Sequence, residues 1–228
     1  MVDKVTPELN FSTILGCSVH DMKNSLGIIQ NLVSQLAKDS RHSDNPQFGQ
    51  LEFEANRMNN ILMQLLVLYK IDLTRFSLNI DEYPVEDLLN EAVAQQEVLL
   101  ALNSITIKVE CQPDLYCYCD FNVITSALGT ILNNAQRYAK QNILFSAKQH
   151  NQFMVLCIED DGEGYPETFF YAQEKVQDQV NFNTGSTGLG LFFAQTIAAM
   201  HINDDERGAT EIDNNSSLGG ARFRLFLP

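Results

Sequence analysis

Two segments in the first third of the chain carry apolar residues at alternating spacings of three and four. Helices that pack lengthwise against other helices need this spacing, because it keeps one apolar face turned toward the neighbour. In the first segment these residues are Leu15, Val19, Met22, Leu26, Ile29, Val33 and Leu36. In the second segment they are Phe48, Leu51, Ala55, Met58, Leu62, Leu65 and Tyr69. A polar stretch with Pro46 separates the segments, so the pattern predicts a helical hairpin over residues 1–75.

A single hairpin would leave much of each apolar stripe in contact with water. Ile61, Leu66 and Leu68 widen the stripe of the second helix further. Two hairpins that associate as a four-helix bundle bury these residues against each other. We therefore expect a homodimer with a four-helix bundle at its centre.

The pattern changes near Phe76, where short segments of β-type residues begin to alternate with amphipathic helices. Strands are predicted at residues 77–83, 105–111, 115–119, 143–148, 153–160, 208–213 and 221–228, and helices at 85–102, 123–140 and 190–201. Grouped strands with interleaved helices indicate an α/β sandwich, in which helices cover one face of one sheet. The predicted fold class is therefore α+β, with the hairpin followed by a sandwich domain over residues 76–228.

The charge and the cysteines narrow the range of partners. The chain has 29 acidic residues against 15 basic ones, a net charge of −14 and no cluster of Lys or Arg. This balance argues against binding to nucleic acid or to an anionic membrane.

The five cysteines are an odd number, and Cys111, Cys117 and Cys119 do not have zinc-ribbon spacing. With no apolar run of the ~18 residues that a membrane span needs, we expect a cytoplasmic chain with reduced, buried thiols.

Near the end of the helix predicted at 123–140, Asn134, Arg137 and Tyr138 place an amide, a base and an aromatic ring close together. The amide oxygen suits Mg²⁺, the base suits phosphate, and the ring offers a surface on which a nucleobase can stack. An asparagine at such a position can also serve only as a local hydrogen-bonding group.

Two glycine-rich stretches follow this helix. In EDDGEGYP a predicted strand ends in Asp160, and Gly162 and Gly164 let the backbone approach a ligand closely. In NTGSTGLGLFF the glycines precede a helix, whose N-terminal amides and dipole suit phosphate. Each stretch alone is typical of an ordinary turn. Their order behind a helical hairpin favours a nucleotide site.

His20 stands next to Asp21 in the first predicted helix. It directly follows Val19 of the apolar stripe, so it is placed beside the stripe rather than in it. A neutral, accessible imidazole with a neighbouring base can attack phosphorus. The helix alone fits a solvated histidine equally well, but the nucleotide motifs downstream favour a phosphoacceptor.

Taken together, these segments resemble the transmitter core of bacterial two-component sensor histidine kinases, whose nucleotide domain is of the type shared with Hsp90, gyrase B and MutL. HDMKNSL is similar to the H-box of that family, ILNNAQRYAK to the N-box, DDGEG to the G1 box and STGLGL to the G2 box. GGARFRLFLP is similar to its last strand. The resemblance covers nearly the whole chain.

The resemblance implies a histidine kinase that autophosphorylates from Mg-ATP and passes the phosphoryl group to an aspartate in the receiver domain of a response regulator. It makes His20 the phosphoacceptor and Asp21 the acid that activates it. The acid-x-x-Asn pattern of residues 21–24 implies that Asn24 positions a water molecule that dephosphorylates the regulator.

The resemblance also assigns the nucleotide-binding residues. It makes Asn134 a ligand of Mg²⁺, Arg137 a phosphate contact, Tyr138 the ring that stacks on adenine and Asp160 the acceptor of a hydrogen bond from the adenine amino group. The residues implied on the phosphate side of ATP are Gly162, Gly164, Thr187, Gly188, Leu189 and Gly190.

The chain departs from the family pattern at several positions. Ser25 stands where most H-boxes have proline, Thr130 where the N-box has its first asparagine, and Ser186 where the G2 box has a glycine. The segment expected to cover ATP, residues 167–184, is short and has Lys175 as its one base. These departures leave the main ligands in place and bear on the rate of turnover.

About ten residues precede the first apolar stripe, so we expect the signal to arrive through a separate sensor protein, through the bundle, or not at all. Two other functions stay open. One is a histidine phosphotransferase with a degenerate nucleotide domain, which would not bind ATP. The other is an ATP-binding adaptor or anti-sigma-type regulator, which would bind ATP without phosphorylating His20.

Overall fold

The computed structural model of the protein describes residues 11–37, 46–96, 100, 104–167 and 188–228. The helices in these ranges are α1 (Phe11–Ala37), α2 (Pro46–Asp72), α3 (Val85–Ala94), α4 (Phe121–Tyr138) and α5 (Leu189–Met200). The strands are β1 (Asp81–Pro84), β2 (Thr106–Cys111), β3 (Tyr116–Cys119), β4 (Asn142–His150), β5 (Phe153–Asp160), β6 (Ile202–Asn203), β7 (Glu206–Arg207), β8 (Ala209–Asp213) and β9 (Arg222–Leu227). The chain divides into two compact units, Met1–Ser77 and Leu78–Pro228.

The first unit is a pair of packed helices. Helices α1 and α2 each have 27 residues and pack against one another, which makes each about 40 Å long. The chain between Ala37 and Pro46 reaches at most about 30 Å, so the helices are antiparallel. The amide of Gln30 joins them by donating to Oδ1 of Asn56 at 2.7 Å. Helix α1 runs unbroken through Ser25, the position at which most H-boxes have proline.

Among the stripe residues whose side chains the structure describes, only a part is buried within the hairpin. Val19, Leu26 and Val33 of α1 and Ala55 of α2 are buried. The alternate positions are between 37% and 54% exposed. They form a surface that we call the open stripe, which consists of Met22, Ile29, Leu51, Met58 and Leu65. The hairpin thus hides one apolar edge of each helix and leaves the other in solvent.

The second unit is built on a mixed sheet of five strands in the order β2-β4-β5-β9-β8. Strands β2 and β4 are parallel, and the other neighbours are antiparallel. One face is apolar because buried and partly exposed residues alternate along β4 and β9. Helix α4 packs on β5 with α3 and α5 on either side of it, and α5 also packs on β8 and β9. The α+β class predicted from the sequence is confirmed.

Three elements differ from the sequence prediction. Strands β1 and β3 pair only with each other, as a two-stranded sheet separate from the main one. The short hairpin of β6 and β7 was not predicted. Helix α3 ends at Ala94 in a turn at residues 95 and 96, where the Gln96 N–H bonds to the Val93 carbonyl; residue 100 is helical again, so the helix predicted over 85–102 is interrupted. The Gln96 side chain is buried there and donates to the Gly129 carbonyl.

A buried histidine holds the beginning of α4. Asp120 caps the helix by accepting a hydrogen bond from Val123 N at 3.2 Å. Nε2 of His201 accepts from Asp120 N at 3.1 Å, and Nδ1 lies 2.8 Å from the Ile197 carbonyl. This pairing requires the neutral ring with its proton on Nδ1. Burial lowers the pKa of His201, although the bond to Ile197 and the nearby Asp120 act in the opposite direction.

Candidate functional site

Asp160 lies at the end of β5 with its side chain buried. Its Oδ1 accepts hydrogen bonds from Gly162 N at 2.8 Å and from Ala221 N at 3.1 Å. Both bonds from described residues to the carboxylate go to this oxygen, so Oδ2 is the atom available to a ligand. Burial raises the pKa of Asp160, while the two backbone hydrogen bonds lower it and the charge of Asp161 raises it.

Two glycines allow the backbone to close around Asp160. A Cβ on Gly162 would lie 2.3 Å from the Tyr138 carbonyl oxygen, and a Cβ on Gly220 would lie 2.4 Å from Oδ1 of Asp160. Neither distance is compatible with a side chain. The loop after β5 is therefore pressed against the end of α4, which brings Asp160 next to the segment that contains Arg137 and Tyr138.

The turn between β8 and β9, residues 214–221, supports this loop. Asn214 accepts from Tyr165 N at 2.7 Å through Oδ1 and donates to the Tyr165 carbonyl at 2.9 Å through Nδ2. Ser216 donates its hydroxyl to the Asp160 carbonyl at 2.8 Å. Sequence reasoning did not find these residues, and the one signal for them is the polar run NNSS before the glycines of the last strand.

Helix α5 begins beside α4. Gly188 is its N-cap, with a positive φ of 59° that favours glycine. A Cβ on Gly190 would lie 2.3 Å from Cγ2 of Thr130 and 3.9 Å from Nδ2 of Asn134. The half-buried Asn134 amide is thus close to the N-terminus of α5, where unpaired backbone N–H groups and the helix dipole attract anions.

Arg137 and Tyr138 form an exposed pair at the end of α4. The Tyr138 side chain is 54% exposed, and the Arg137 guanidinium carbon lies 5.8 Å from the centroid of its ring. This is cation–π distance. The pair therefore presents an aromatic surface with a positive charge beside it, at the end of α4 whose Tyr138 carbonyl lies against Gly162.

Other predicted site residues lie elsewhere or outside the described residues. Asp21 and Asn24 are exposed on α1, in the first unit. His20 is in α1 between Val19 and Asp21, but its side chain is outside the described part of the chain, as are Thr187 and most of the segment at 167–184. Leu189 is the first residue of α5. Gly164 adopts a φ of 84° next to Asn214.

No three His, Cys, Asp or Glu residues in the described ranges form a cluster that could hold a metal ion. Cys117, Cys119 and Cys157 are buried and Cys111 is partly buried, and all four are free thiols. Burial raises the pKa of Cys157 to about 11, with a further contribution from the charge of Glu159. Within the same ranges, no helix has the length and apolar character needed to cross a membrane.

Asp161 fastens the end of α4 to the end of β5. Its two carboxylate oxygens accept backbone hydrogen bonds from Lys140, Gln141 and Asn142 and one from the Asn142 side chain, at 2.7 to 3.2 Å. Burial alone would raise its pKa, but these hydrogen bonds lower the pKa of Asp161 to about 2.

We expect Asp161→Asn to remove a part of the stability that depends on pH. Since the pKa of Asp161 is lowered from 3.8 to about 2 on folding, its contribution is complete above pH 4 and disappears as the pH falls through 2. The variant should lose about 1 kcal/mol of unfolding free energy at pH 7 and nothing near pH 2. Urea unfolding between pH 2 and pH 7 measures this difference in unfolding free energy, with Glu163→Gln at a nearby exposed site as control. Parallel loss of stability in the variant and the wild type below pH 4 would contradict this role.

The chain shares its fold with solved histidine kinases. Histidine kinase AdeS of Acinetobacter baumannii matches it with a TM-score of 0.61 and 19% identity over 91% of this chain and 96% of that one. Full-length ShkA in complex with AMPPNP matches with a TM-score of 0.67 and 16% identity over 95% of this chain and 45% of that one. The catalytic domain of histidine kinase ThkA matches with a TM-score of 0.54 and 20% identity over 66% of this chain and 96% of that one.

The sequence comparisons point to the same class, although no family model matches the chain. The sensor protein QseC of Escherichia coli (strain K12) is 28% identical over 206 residues, which cover 85% of this chain and 44% of QseC. The sensor histidine kinase CpxA of that strain is 26% identical over 220 residues, which cover 92% of this chain and 45% of CpxA. The chain thus spans less than half the length of these relatives.

The homologues of this chain are sensor histidine kinases, and its fold is that of the histidine kinase catalytic core. The resemblance that the four sequence motifs predicted is confirmed at this level. The roles of individual site residues stay predictions.

Proposed function

We propose that this chain is the transmitter core of a histidine kinase, in which the second unit binds Mg-ATP and donates the γ-phosphoryl group to His20. The observation that carries the proposal is the convergence of Asp160, Gly162, Asn134 and Gly190 along the second half of α4. These residues come from three motifs far apart in sequence. The similarity to ShkA, which was solved with AMPPNP, supports the same assignment.

The adenine end of the site is built from Asp160 and Tyr138. Because Oδ1 of Asp160 already accepts two backbone N–H groups, Oδ2 is the acceptor for the adenine amino group. The exposed ring of Tyr138 provides a stacking surface. Arg137, next to that ring, is proposed to contact a phosphate of the bound nucleotide.

The phosphate end is built from the N-terminus of α5 and from Asn134. The backbone N–H groups that follow Gly188 suit phosphate oxygens. Asn134 supplies an amide oxygen for Mg²⁺, and one such ligand is enough because this ion keeps waters and phosphate oxygens in most of its positions. ATP supplies the phosphoryl group, and Mg²⁺ neutralises charge on the phosphates.

The phosphoryl group is transferred to His20. A ring nitrogen of His20 forms a bond to the γ-phosphorus as the bond to the bridging oxygen breaks, and ADP leaves with that electron pair. Asp21, its exposed neighbour on α1, takes the ring proton. The group then passes to an aspartate in the receiver domain of a response regulator. ATP and such regulators are present in the cytoplasm, so the proposal places this region there.

The first unit acts as a dimer in this proposal. The open stripe repeats every seven residues in both helices and is exposed in a single hairpin. A second copy of the hairpin carries the same stripe, and the two together form the four-helix bundle predicted from the sequence.

The decisive experiment uses γ-labelled ATP and Mg²⁺ with purified protein. We expect label that is labile in acid and stable in base, and its loss in His20→Ala. His150→Ala, at an exposed histidine of the second unit, is the matched control and should keep the label. ATP binding without label would favour the adaptor function instead. Absence of ATP binding would favour the phosphotransferase.

The same assay tests Asn24 when a phosphorylated response regulator is added. We expect Asn24→Ala to keep autophosphorylation and to slow dephosphorylation of the regulator, because only the second reaction needs a positioned water. Equal loss of both activities would count against this role.

A further inference from the structure

Thr130 and Gly190 form a tight contact between α4 and the beginning of α5. We propose that Thr130 is a positioning residue, whose methyl group sets the distance between Asn134 and the N-terminus of α5 and so aligns the phosphate end of the site. This inference rests on the proposed nucleotide-binding function, and it concerns a position where the family pattern would have asparagine.

The orientation of Thr130 is determined by its hydroxyl group. Oγ1 donates to the Ser126 carbonyl at 3.0 Å, a bond to the preceding turn that is typical of helical threonine. Since χ1 of a β-branched residue is restricted, this bond also directs Cγ2. That methyl carbon lies 2.3 Å from the position of a Cβ on Gly190. The methyl group therefore fills the space that glycine leaves open.

The methyl group of Thr130 is the nearest atom to the position of a Cβ on Gly190. The next atoms near a Cβ on Gly190 are Cβ of Thr130 at 3.7 Å and Nδ2 of Asn134 at 3.9 Å. Both distances are ordinary van der Waals contacts. Removal of Cγ2 from Thr130 would thus make room for a methyl group on residue 190, so the two positions are complementary in size.

The contact bears on one end of the site. Asn134 comes one helical turn after Thr130 on the same face of α4, and Gly190 is the second residue of α5. A change in the contact therefore moves the Asn134 amide relative to the N–H groups of α5. The proposed ligand of the Asn134 amide is Mg²⁺, and the proposed ligands of the N–H groups are the phosphates. Asp160 is held separately, by Gly162 N and Ala221 N, so the adenine end should not move.

The test exchanges the methyl group between the two positions. Calorimetry gives the dissociation constants of Mg-ATP and of adenosine for each variant, after thermal unfolding has shown that each is folded. We expect Gly190→Ala to weaken Mg-ATP binding about 30-fold, since overpacking shifts the helix, and Thr130→Ser to weaken it about 3-fold. The double variant should return to within about 3-fold of wild type. Adenosine binding should stay constant throughout.

Two further variants separate the methyl group from the hydroxyl group. Thr130→Val keeps a methyl group toward Gly190 and should bind Mg-ATP much more tightly than Gly190→Ala does. Thr125→Ser is the matched control, because Thr125 makes the same type of hydroxyl bond, to the Phe121 carbonyl, in the same helix. It should bind as wild type does.

The inference is overturned if the double variant binds Mg-ATP as poorly as Gly190→Ala, which would mean that the nucleotide itself needs the space. It is also overturned if the affinity for adenosine falls together with the affinity for Mg-ATP. A third contrary result is that Thr130→Val binds Mg-ATP as poorly as Gly190→Ala does while Thr130→Ser binds it well, since the hydroxyl group of Thr130 would then be the ligand. If wild-type protein binds neither ligand, the proposed function itself fails.

Discussion

Asp160→Asn is expected to weaken ATP binding about 100-fold and to strengthen binding of inosine triphosphate, which carries a carbonyl oxygen where adenine carries its amino group. The reason is the occupation of Oδ1, which accepts from Gly162 N and Ala221 N. An asparagine must keep its oxygen at that position, so its NH₂ group faces the ligand. Two donors then meet, and a charge-assisted hydrogen bond worth about 1.5–3 kcal/mol is lost.

A change in nucleotide specificity is a stricter test of this prediction than a loss of ATP affinity would be. A variant that failed to fold would bind neither nucleotide, whereas the expected variant gains one as it loses the other. Equilibrium titration of both nucleotides measures the ratio of their affinities, with Asp205→Asn at an exposed position of the β6–β7 turn as control. If the ratio does not change, Asp160 does not contact the six-position of the purine.

Met58→Lys is expected to convert the proposed dimer to a monomer while the second unit keeps its proposed affinity for Mg-ATP. Met58 is 54% exposed at the middle of the open stripe of α2. In a four-helix bundle the substitution would bury an ammonium group from each copy, at a cost of several kcal/mol. Dimer dissociation constants should rise more than 1,000-fold.

Sedimentation across micromolar concentrations measures this change. Asn60→Lys introduces the same charge on the opposite side of α2 at an exposed position, and it should leave the dimer intact. Helix content should persist in both variants, because Val19, Leu26, Val33 and Ala55 are buried within one hairpin. A Met58→Lys protein that stays dimeric would show that another surface forms the interface.

Short local patterns in the sequence explain which elements and site residues could be predicted. The spacing of apolar residues depends only on helical geometry, and it predicted both helices of the hairpin. Pro84 correctly marked the start of α3, since proline is tolerated at the beginning of a helix but not in its interior. The candidate ligands Asn134, Asp160 and Gly190 were predicted because each belongs to a short motif.

Contacts between distant parts of the chain explain the features that could not be predicted from the sequence. Asn214 binds Tyr165 from 49 residues away, and His201 binds Asp120 from 81 residues away. Neither pair leaves a local pattern. The helix predicted over 85–102 is likewise interrupted by a turn at residues 95 and 96, where the Gln96 side chain reaches Gly129 of another helix.

The sequence by itself determined the two helices of the hairpin, most strands and helices of the second unit, and which residue types the candidate site contains, because each is encoded in a few neighbouring positions. Only the tertiary structure decided which part of the apolar stripe the hairpin buries, which oxygen of Asp160 accepts the backbone hydrogen bonds, and which atom lies next to Gly190. Those properties depend on atoms that approach within a few ångströms from different elements, and spacing along the chain does not encode such distances.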